Sequence, residues 1–331
     1  MQTYRAFRIH EKGSGIETLA LEPPAAGEVL IRVHWSGINY KDALAVTGKG
    51  RIVRRFPLTG GVDLSGVVEA SGAPQFAPGD AVLVTGCGLS ETRDGGYAEY
   101  ACVPADAVIP LPANFSLRDV MVMGTAGFAA ALAIHQLEHN GLVPGQGPVA
   151  VTGASGGVGC IAIDMLARRG HEVVAFTRKQ HAAALLKELG ASEVRAFEAS
   201  SRPLEVERWA GAIDNVGGEV LSTLVRSTKG WGSVAAVGLA GGAELTVSLM
   251  PFLLRGVNLL GVNSAATRRD KRELLWRRIA GDLAPRHLDR IATSTIGLDE
   301  LPGACERILS GAHIGLFFGL VPARKAARMD P

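Results

Sequence analysis

The pattern of hydrophobic and polar positions divides the chain into two parts with different rhythms. In the first part, short apolar runs such as Val29–His34, Gly66–Ala70 and Ala81–Val84 are separated by turn signals such as Pro78-Gly79-Asp80. This spacing is typical of a small antiparallel barrel or sandwich. We therefore expect the N-terminal part to be a β-barrel.

From about residue 147, apolar strand-like runs alternate with helical stretches. Val149–Thr152 and Val173–Thr177 are fully apolar or nearly so, and the helical stretches Gly157–Arg169 and Gln180–Leu189 follow them in turn. Short buried strands separated by helices predict a parallel sheet covered on both faces. After Ala265 the pattern predicts one more helix and then a return to β-like material over residues 308–321. The fold class predicted is α/β.

Composition and charge narrow the class of protein. Of the 331 residues, 47% are hydrophobic and 20% charged, as in an ordinary folded protein. The 34 basic and 32 acidic residues nearly balance, so we expect no binding to nucleic acid or to an anionic membrane. The longest uncharged apolar run, Val120–Ile134, is shorter than the ~20 residues of a bilayer span, and we interpret it as a helix buried between domains. Four scattered cysteines and a polar N-terminus indicate a reduced, cytoplasmic protein.

A glycine-rich turn lies between the first strand and the first helix of the second part. The segment V-T-G-A-S-G-G-V-G has glycines at 153, 156 and 159, where the backbone must turn sharply and approach a ligand. We expect the amides of Gly156, Gly157 and Val158, together with the helix dipole, to face a bound phosphate. This spacing in a strand-turn-helix context predicts a dinucleotide site. The alternative is a turn that only permits helix–sheet packing.

The end of the next strand bears on the choice of dinucleotide. Where an NAD enzyme usually carries an acidic residue, this chain has Thr177, Arg178 and Lys179. A hydroxyl and two cations suit a 2′-phosphate, so the predicted cofactor is NADPH. The alternative is that the two cations merely begin a solvated helix.

The chain resembles the medium-chain dehydrogenase/reductase superfamily over nearly its whole length. The motifs that carry the resemblance are F-A-P-G-D-A-V (76–82), G-G-Y-A-E-Y (95–100) and G-T-A-G-F-A-A (124–130). Zinc-dependent members have a Cys in the segment that here reads G-I-N-Y-K-D (37–42), and Gly-His-Glu where this chain has G-G-V-D-L-S-G (60–66). Asp42 and Asp63 alone do not make a zinc ligand set, so we expect no metal.

Without a Lewis acid, hydride addition to a C=C bond conjugated to a carbonyl is favoured over alcohol oxidation. Tyr40 is the candidate hydrogen-bond donor to the carbonyl oxygen or proton donor to the α-carbon. Asn39 and Asp42 are expected to position it and the nicotinamide end of the cofactor. The alternative is that Asn39 and Asp42 only cap the following turn and that Tyr40 is a half-buried core aromatic.

A closer resemblance is to the NADPH-dependent acryloyl-CoA reductases. It rests on H-W-S-G-I-N-Y-K-D-A-L-A-V-T-G-K-G, V-T-G-A-S-G-G-V-G and R-P-L-E-V-E-R-W-A-G-A-I-D-N-V-G-G. The resemblance implies reduction of acryloyl-CoA to propanoyl-CoA and homodimerisation. The nearest alternative is a quinone or enone reductase of the same fold. A different class is a non-enzymatic NADPH sensor or a single-stranded nucleic-acid binder, and the near-neutral charge argues against the latter. The cofactor contacts implied are Tyr40, Thr125, Ser155, Gly156, Gly157, Val158, Thr177, Arg178, Lys179, Asn215, Leu239 and Ser264.

The resemblance also implies the domain organisation. We expect residues 1–124 and 266–331 to form a GroES-like β-barrel catalytic domain, residues 125–265 to form a Rossmann NADPH-binding domain, and the active site to lie in the cleft between them. Near the C-terminus, where the family usually has a basic residue after Gly315, this chain has Leu316. The terminal A-R-K-A-A-R-M-D-P is expected to be a solvated tail.

A basic run, G-K-G-R-I-V-R-R-F-P (48–57), follows the predicted catalytic segment. Arg51, Arg54 and Arg55, with Lys49, are candidates to receive the phosphates of a short enoyl-CoA substrate, because guanidinium forks suit phosphate oxygens. The alternative is an ordinary exposed basic loop.

Overall fold

The computed structural model describes residues 2–311 and 313–320. Its strands are β1 (Thr3–Ile9), β2 (Ser14–Ala20), β3 (Glu28–Trp35), β4 (Gly37–Ile38), β5 (Leu58–Thr59), β6 (Asp63–Ser71), β7 (Ala81–Thr85), β8 (Tyr100–Pro104), β9 (Ile109–Pro110), β10 (Val149–Thr152), β11 (Val173–Phe176), β12 (Glu193–Arg195), β13 (Trp209–Asp214), β14 (Thr228–Ala236), β15 (Asn258–Gly261), β16 (Ala292–Ile296) and β17 (Leu316–Leu320). Its α-helices are α1 (Tyr40–Thr47), α2 (Leu117–His139), α3 (Gly157–Arg168), α4 (Ala183–Glu188), α5 (Gly218–Ser227), α6 (Met250–Arg255), α7 (Arg269–Ile279), α8 (Leu288–Ile291) and α9 (Leu301–Leu309).

The chain forms two compact units. The first comprises Met1–Thr125, Ala265–Glu273 and Ala292–Pro331, and the second comprises Ala126–Ser264 and Leu274–Ile291. The sequence predicted that all of residues 266–331 belong with the barrel, whereas Leu274–Ile291 belong to the second unit. The reason is packing: Trp276 is 1% exposed and its ring stacks on that of Phe128, with the centroids 6.0 Å apart. The predicted solvated tail lies outside the described residues.

The first unit is built from three sheets. A five-stranded antiparallel sheet has the order β8-β3-β6-β7-β9, and a three-stranded antiparallel sheet has the order β2-β1-β5. In the third, β17 pairs with β16 in parallel and with β4 antiparallel. Buried aliphatic side chains from β3, β6 and β7, such as Val29, Leu64 and Val82, form the core of the five-stranded sheet. The β-rich first part was therefore predicted correctly.

One predicted strand boundary is wrong. Ile308 was assigned to β-like material, but it lies in α9, and the strand begins at Leu316. Within this helix Leu301, Ala304 and Cys305 are buried, and Ile308 packs against the same cluster. These positions are spaced by three and four residues, which is the helical period, so the run of apolar letters was misleading.

The second unit contains a six-stranded parallel sheet with the order β12-β11-β10-β13-β14-β15. Strands β10, β11 and β13 are buried along their whole length, as expected for a parallel sheet covered on both faces. The α/β class and the parallel sheet are confirmed. The strand order reverses between β10 and β13, and ligands of such sheets bind at this point, outside the carboxyl ends of the strands.

Helix α2 is the one helix among the described residues that is long and apolar enough to cross a membrane, and 83% of its most apolar window is buried within the protein. It is kinked at Gly124, whose φ of 45° and ψ of −150° are not helical. A Cβ atom at this position would lie 2.9 Å from Oδ2 of Asp63. Glycine is required here by both the backbone conformation and the close approach.

Candidate active site

The predicted catalytic segment forms the start of α1. Asn39 has extended backbone angles and is the N-cap, and Tyr40 is the first helical residue. The Asn39 amide donates to Oδ2 of Asp42 at 2.9 Å. A residue at the third helical position that bonds back to the N-cap satisfies one of the amides that a helix start leaves unpaired. The local sequence therefore places Tyr40 at a capped helix start.

Asp42 is fully buried, and its carboxylate accepts three hydrogen bonds. Beside the Asn39 amide, the Val62 amide donates to Oδ1 at 2.9 Å and Nδ2 of Asn39 donates to Oδ2 at 3.2 Å. Burial, and then the neighbouring Asp63, raise the pKa of Asp42 to about 7, although the hydrogen bonds oppose the shift. The geometry explains Asp42 as a capping and positioning group, and a direct role in catalysis stays a prediction.

Asp63 is the residue of this segment whose role sequence reasoning missed. Its Oδ1 accepts from the Gly37 amide at 2.7 Å, and its Oδ2 accepts from Nδ2 of Asn39 at 3.0 Å and from the Thr125 amide at 2.9 Å. It joins β4, the start of α1 and the second part of α2. The sequence did contain one indication, a single aspartate in the apolar run G-V-D-L-S-G-V-V. A carboxylate buried in such a run requires its own hydrogen-bond donors.

Tyr40 is exposed, whereas the helix that it begins is largely buried. Its side chain is 47% exposed, while Ala43 and Val46 of the same helix lie in the core. The neighbouring Lys41 forms an ion pair with Glu91. Tyr40 therefore lies outside the core, and its side chain is accessible to a ligand.

The basic run is only partly available for phosphate binding. Arg51 and Arg54 are exposed, and no ion pair within residues 2–311 involves either of them. Arg55 approaches Asp94 at 3.9 Å, and Lys49 pairs with Glu306 at 2.6 Å. The two uncompensated guanidinium groups are the better candidates to receive an anion.

In the second unit, the glycine-rich turn has the predicted strand-turn-helix geometry with one difference. Gly153 has a φ of 57°, and a Cβ at Gly159 would lie 2.6 Å from Cα of Ala154, so both positions need glycine. The Gly156 amide, expected to be free for a phosphate, instead donates to the Gly153 carbonyl at 2.9 Å. The first intrahelical bond comes from Cys160, so the amides of residues 157–159 precede the helical ladder and can face an anion.

Thr177 is turned inward rather than toward a ligand. It is 6% exposed, and its Oγ1 lies 2.9 Å from Oγ of Ser155 and accepts from the Lys179 amide at 3.1 Å. Its hydroxyl therefore holds the turn after β10 against the turn after β11. Arg178 is exposed, and burial lowers the pKa of the half-buried Lys179. Of the predicted group at this strand end, Arg178 is the exposed cation that can face a 2′-phosphate.

Asn215 follows β13 at the switch point of the sheet. Its Nδ2 donates to the Thr152 carbonyl at 2.8 Å, whereas its buried Oδ1 has no hydrogen-bond partner among the described residues. The loop is held by Asp214, which accepts from the Thr152 hydroxyl at 2.5 Å and from the Gly217 amide at 2.7 Å, and burial raises the pKa of Asp214. Neither Thr152 nor Asp214 was predicted from the sequence to be a site residue. The hydrogen bond between them joins the ends of two strands that are 62 residues apart, which no local spacing indicates.

The two remaining predicted contacts differ in their placement. Leu239 is 67% exposed and lies on the loop after β14, which bonds to the loop after β13 through Gly241 and Val216 at 2.7 Å. Ser264 follows β15 at the far edge of the sheet, and no hydrogen bond within the described chain joins it to the other candidates. The structure thus brings the loops after β10, β11, β13 and β14 to one sheet edge.

This edge fits a dinucleotide. The orphaned acceptor of Asn215 needs a donor such as a carboxamide or a ribose hydroxyl, and buried polar atoms without partners are rare. At Gly156 a side chain would meet little, since the nearest atom to its Cβ would be the Gly153 carbonyl oxygen at 3.3 Å, which leaves space for a phosphate. Among residues 2–311 and 313–320, no group of three or more His, Cys, Asp or Glu side chains is arranged to hold a metal ion.

A dinucleotide-type sheet with this glycine turn, in one chain with a β-rich unit, defines the class of medium-chain dehydrogenases/reductases. In agreement, residues 25–113 match the alcohol dehydrogenase GroES-like domain and residues 157–281 match the zinc-binding dehydrogenase family. The predicted GroES-like and Rossmann-type architecture is confirmed.

Relatives narrow the class further. YhfP of Bacillus subtilis, provisionally named a quinone oxidoreductase, is 48% identical over 89% of this chain and 90% of its own. Acrylyl-CoA reductase AcuI of Ruegeria pomeroyi is 44% identical over 90% and 91%. The crystal structure of the yhdH oxidoreductase from Salmonella enterica in complex with NADP matches with a TM-score of 0.91 and 41% identity, covering 96% of this chain and 99% of that one. The chain belongs to the acrylyl-CoA reductase family of medium-chain dehydrogenases/reductases, as its motifs predicted.

Proposed function

We propose that this protein reduces the C=C bond of acryloyl-CoA to give propanoyl-CoA, with NADPH as the reductant. The chain is an NADPH-dependent oxidoreductase that acts on a C=C bond. The observation that carries the choice of substrate is the 44% identity to acrylyl-CoA reductase AcuI over about nine-tenths of both chains. The structure adds two observations. The side chain of Tyr40 is accessible at a capped helix start, and Oδ1 of Asn215, at the carboxyl edge of the parallel sheet, has no hydrogen-bond partner among the described residues.

When bound, NADPH supplies the hydride that adds to the β-carbon of the acryloyl group. Negative charge then collects on the thioester oxygen, and the α-carbon takes up one proton, so that the C=C bond becomes a C–C single bond. Tyr40 donates a hydrogen bond to that oxygen, or its proton to the α-carbon directly or through water. A positioned donor is effective because it needs little reorganisation as charge develops.

Asn39, Asp42 and Asp63 position Tyr40 rather than react. Asp42 closes the cap of α1, and Asp63 ties the preceding strand to Asn39. These bonds restrict the first turn of the helix, so the phenol starts from a defined backbone position. In this proposal hydrogen-bond donors replace the Lewis acid of zinc-dependent relatives, since the expected Cys and His ligands are absent from the sequence at residues 37–42 and 60–66.

In the second unit, the amides of residues 157–159 and the dipole of α3 bind the pyrophosphate. Arg178 and Lys179 would hold the 2′-phosphate of NADPH, and Oδ1 of Asn215 would accept a hydrogen bond from a donor of the cofactor. Thr125, Leu239 and Ser264 stay as predicted contacts. The preference for NADPH is supported by the structure of yhdH with NADP, whereas yhfP, at 44% identity and a TM-score of 0.92, was solved with NAD bound.

The alternative is an NADPH-dependent quinone or enone oxidoreductase, which the provisional name of YhfP favours. The test is kcat/KM for acryloyl-CoA and for a naphthoquinone, each with NADPH and with NADH. A larger value for acryloyl-CoA with NADPH supports the proposal, and a larger value for the quinone overturns it. Tight NADPH binding without turnover of either compound identifies a sensor instead.

We also propose a cytoplasmic homodimer. Strand β15 is one of the two edge strands of the parallel sheet, and edge strands present unpaired backbone groups. Exposed apolar side chains occur in the same unit: Trp231 is 81% exposed, Leu253 76% and Leu249 70%. Exposed apolar surface of this kind is commonly buried in an interface. In a twofold dimer the same surface of two copies meets, so β15 and these side chains would pack against their counterparts in a second copy.

A further inference from the structure

Three carboxylates contact the basic run 48–57 or its backbone, and each is paired with a cation other than Arg51 or Arg54. The carboxylates and their partners are Glu91 with Lys41, Asp94 with Arg8, and Glu306 with Lys49. Arg51 and Arg54 are exposed and form no ion pair within residues 2–311. Because surface ion pairs exchange at little cost, two free arginines beside three carboxylates require each carboxylate to be held elsewhere.

Glu91 is the carboxylate that can compete for Arg54. The Arg54 amide donates to the Glu91 carbonyl at 2.8 Å, so the two side chains start from adjacent backbone positions. Both are long and flexible enough to meet from there, and a guanidinium fork on a carboxylate is a strong charge-assisted pair. The Glu91 carboxylate is instead bound by the ammonium group of Lys41.

The pair of Lys41 and Glu91 is better defined than an ordinary surface ion pair. Lys41 is the second residue of α1, and the two side chains are 35% and 18% exposed. Glu91 belongs to a turn in which the Gly88 carbonyl accepts from the amides of residues 91, 92 and 93 at 3.0 to 3.2 Å. A partly buried pair is screened less by water and salt, so the carboxylate stays on α1.

We propose that Lys41 is a positioning residue for the substrate: it holds Glu91 on α1 and thereby keeps the guanidinium of Arg54 free for a phosphate of the CoA moiety. This inference deepens the proposed function and rests on it. The start of α1 then carries two groups with different tasks. The phenol of Tyr40 acts on the acyl group, and the next residue sets the charge of the segment that receives the nucleotide part of the thioester.

The experiment measures steady-state kinetics of the full chain with NADPH and two thioesters, acryloyl-CoA and acryloyl-pantetheine, which has no phosphate. Lys41→Met frees Glu91 to pair with Arg54, so it is expected to raise KM for acryloyl-CoA about tenfold, the size of one charge-assisted hydrogen bond. KM for acryloyl-pantetheine and kcat for both thioesters are expected to stay as in wild type.

Two further variants separate this role from a purely structural one. Glu91→Gln breaks the same ion pair but removes the competing carboxylate, so it is expected to keep the wild-type KM for acryloyl-CoA. Lys41→Met combined with Glu91→Gln is expected to restore that KM. Arg32→Met is the matched control, since it removes an exposed cation of β3 that lies 3.7 Å from Glu69, and it should leave both KM values unchanged.

The proposal is overturned if Glu91→Gln raises KM for acryloyl-CoA as much as Lys41→Met does, because the pair then only stabilises the turn. A double variant no better than Lys41→Met overturns it too, since Lys41 itself then contacts the phosphate. So does an equal change of KM for the two thioesters. Turnover of acryloyl-pantetheine shows that each variant is folded.

The wild-type values separate failure of this inference from failure of the proposed function. If wild type turns over neither thioester, the proposed function fails and this inference fails with it. Equal KM values for the two thioesters in wild type remove the phosphate site and this inference, whereas the proposed reduction stands. If wild type favours acryloyl-CoA and Lys41→Met does so equally, only the role of Lys41 fails.

Discussion

Asp42 and Asp63 are both fully buried, and the side-chain amide of Asn39 lies between them, 3.2 Å from Oδ2 of Asp42 and 3.0 Å from Oδ2 of Asp63. Two carboxylates that share one donor repel each other when both are ionised. This repulsion adds to burial in raising the pKa of Asp42 to about 7. We therefore expect the stability of the predicted catalytic segment to depend on pH.

The free energy of unfolding is expected to fall as the pH rises through this group. The pKa of Asp42 is about 7 in the folded protein, against an ordinary value of 3.8. Between these values the folded state binds more protons than the unfolded chain, so stability decreases with rising pH, by on the order of 1–3 kcal/mol. Urea unfolding from pH 4 to 8 should show a smaller decrease in Asp42→Asn than in wild type. Parallel curves for the two proteins would contradict this assignment.

Gly124→Ala is expected to destabilise the protein by about 1–3 kcal/mol. A non-glycine residue is strained at this positive φ, and its Cβ would also displace the carboxylate of Asp63. Gly141→Ala is the control for backbone strain alone, since Gly141 has a φ of 89° and nothing within 4 Å of its Cβ. The measurement is the urea midpoint of each variant. Equal losses at the two positions would show that the contact with Asp63 is unimportant.

Tyr40→Phe is expected to lower kcat for acryloyl-CoA roughly 100-fold, the usual contribution of a general acid, and to leave the dissociation constant of NADPH nearly unchanged. Tyr100→Phe is a matched loss of a hydroxyl in β8, where Oη accepts a long hydrogen bond of 3.4 Å from Nε2 of Gln2. It should retain wild-type turnover. A Tyr40→Phe enzyme with the kcat of wild type would exclude the phenol from the mechanism.

Replacing both Arg51 and Arg54 with Ala is expected to raise KM for acryloyl-CoA about tenfold, through lost phosphate contacts, and to leave kinetics with a naphthoquinone unaltered. Arg32→Ala is the control, because Arg32 is an exposed cation of β3 whose nearest carboxylate, of Glu69, is 3.7 Å away. Steady-state kinetics with both substrates decide the matter. A similar change for both substrates would refute a role in binding CoA.

Wild type is expected to have twice the chain mass of 34.6 kDa in light scattering after gel filtration. Leu253→Glu together with Leu254→Glu should yield monomers, because both side chains are well exposed and charges oppose their burial between copies. Val143→Glu, at another exposed apolar position, should leave the dimer intact. A monomeric wild type would remove the dimer from the proposal.

Local patterns were enough for much of this protein. The alternation of apolar strands and helices after residue 147 predicted the parallel sheet, because buried strands and amphipathic helices have different periods. The glycine turn and the Asn39–Asp42 segment could also be found in the sequence, since each works through neighbouring residues. The family followed from such motifs, and its full-length relatives confirm it.

Contacts between distant positions were decided only by the tertiary structure. Asp63 reaches Gly37, Asn39 and Thr125, which no spacing in the sequence connects. The fold likewise turns the Thr177 hydroxyl inward and brings Arg195 level with Phe176. The sequence of a strand specifies which side chains lie on each of its faces. Which strand pairs with it depends on the free energy of packing the whole sheet, so these long-range partners could not be predicted from local sequence.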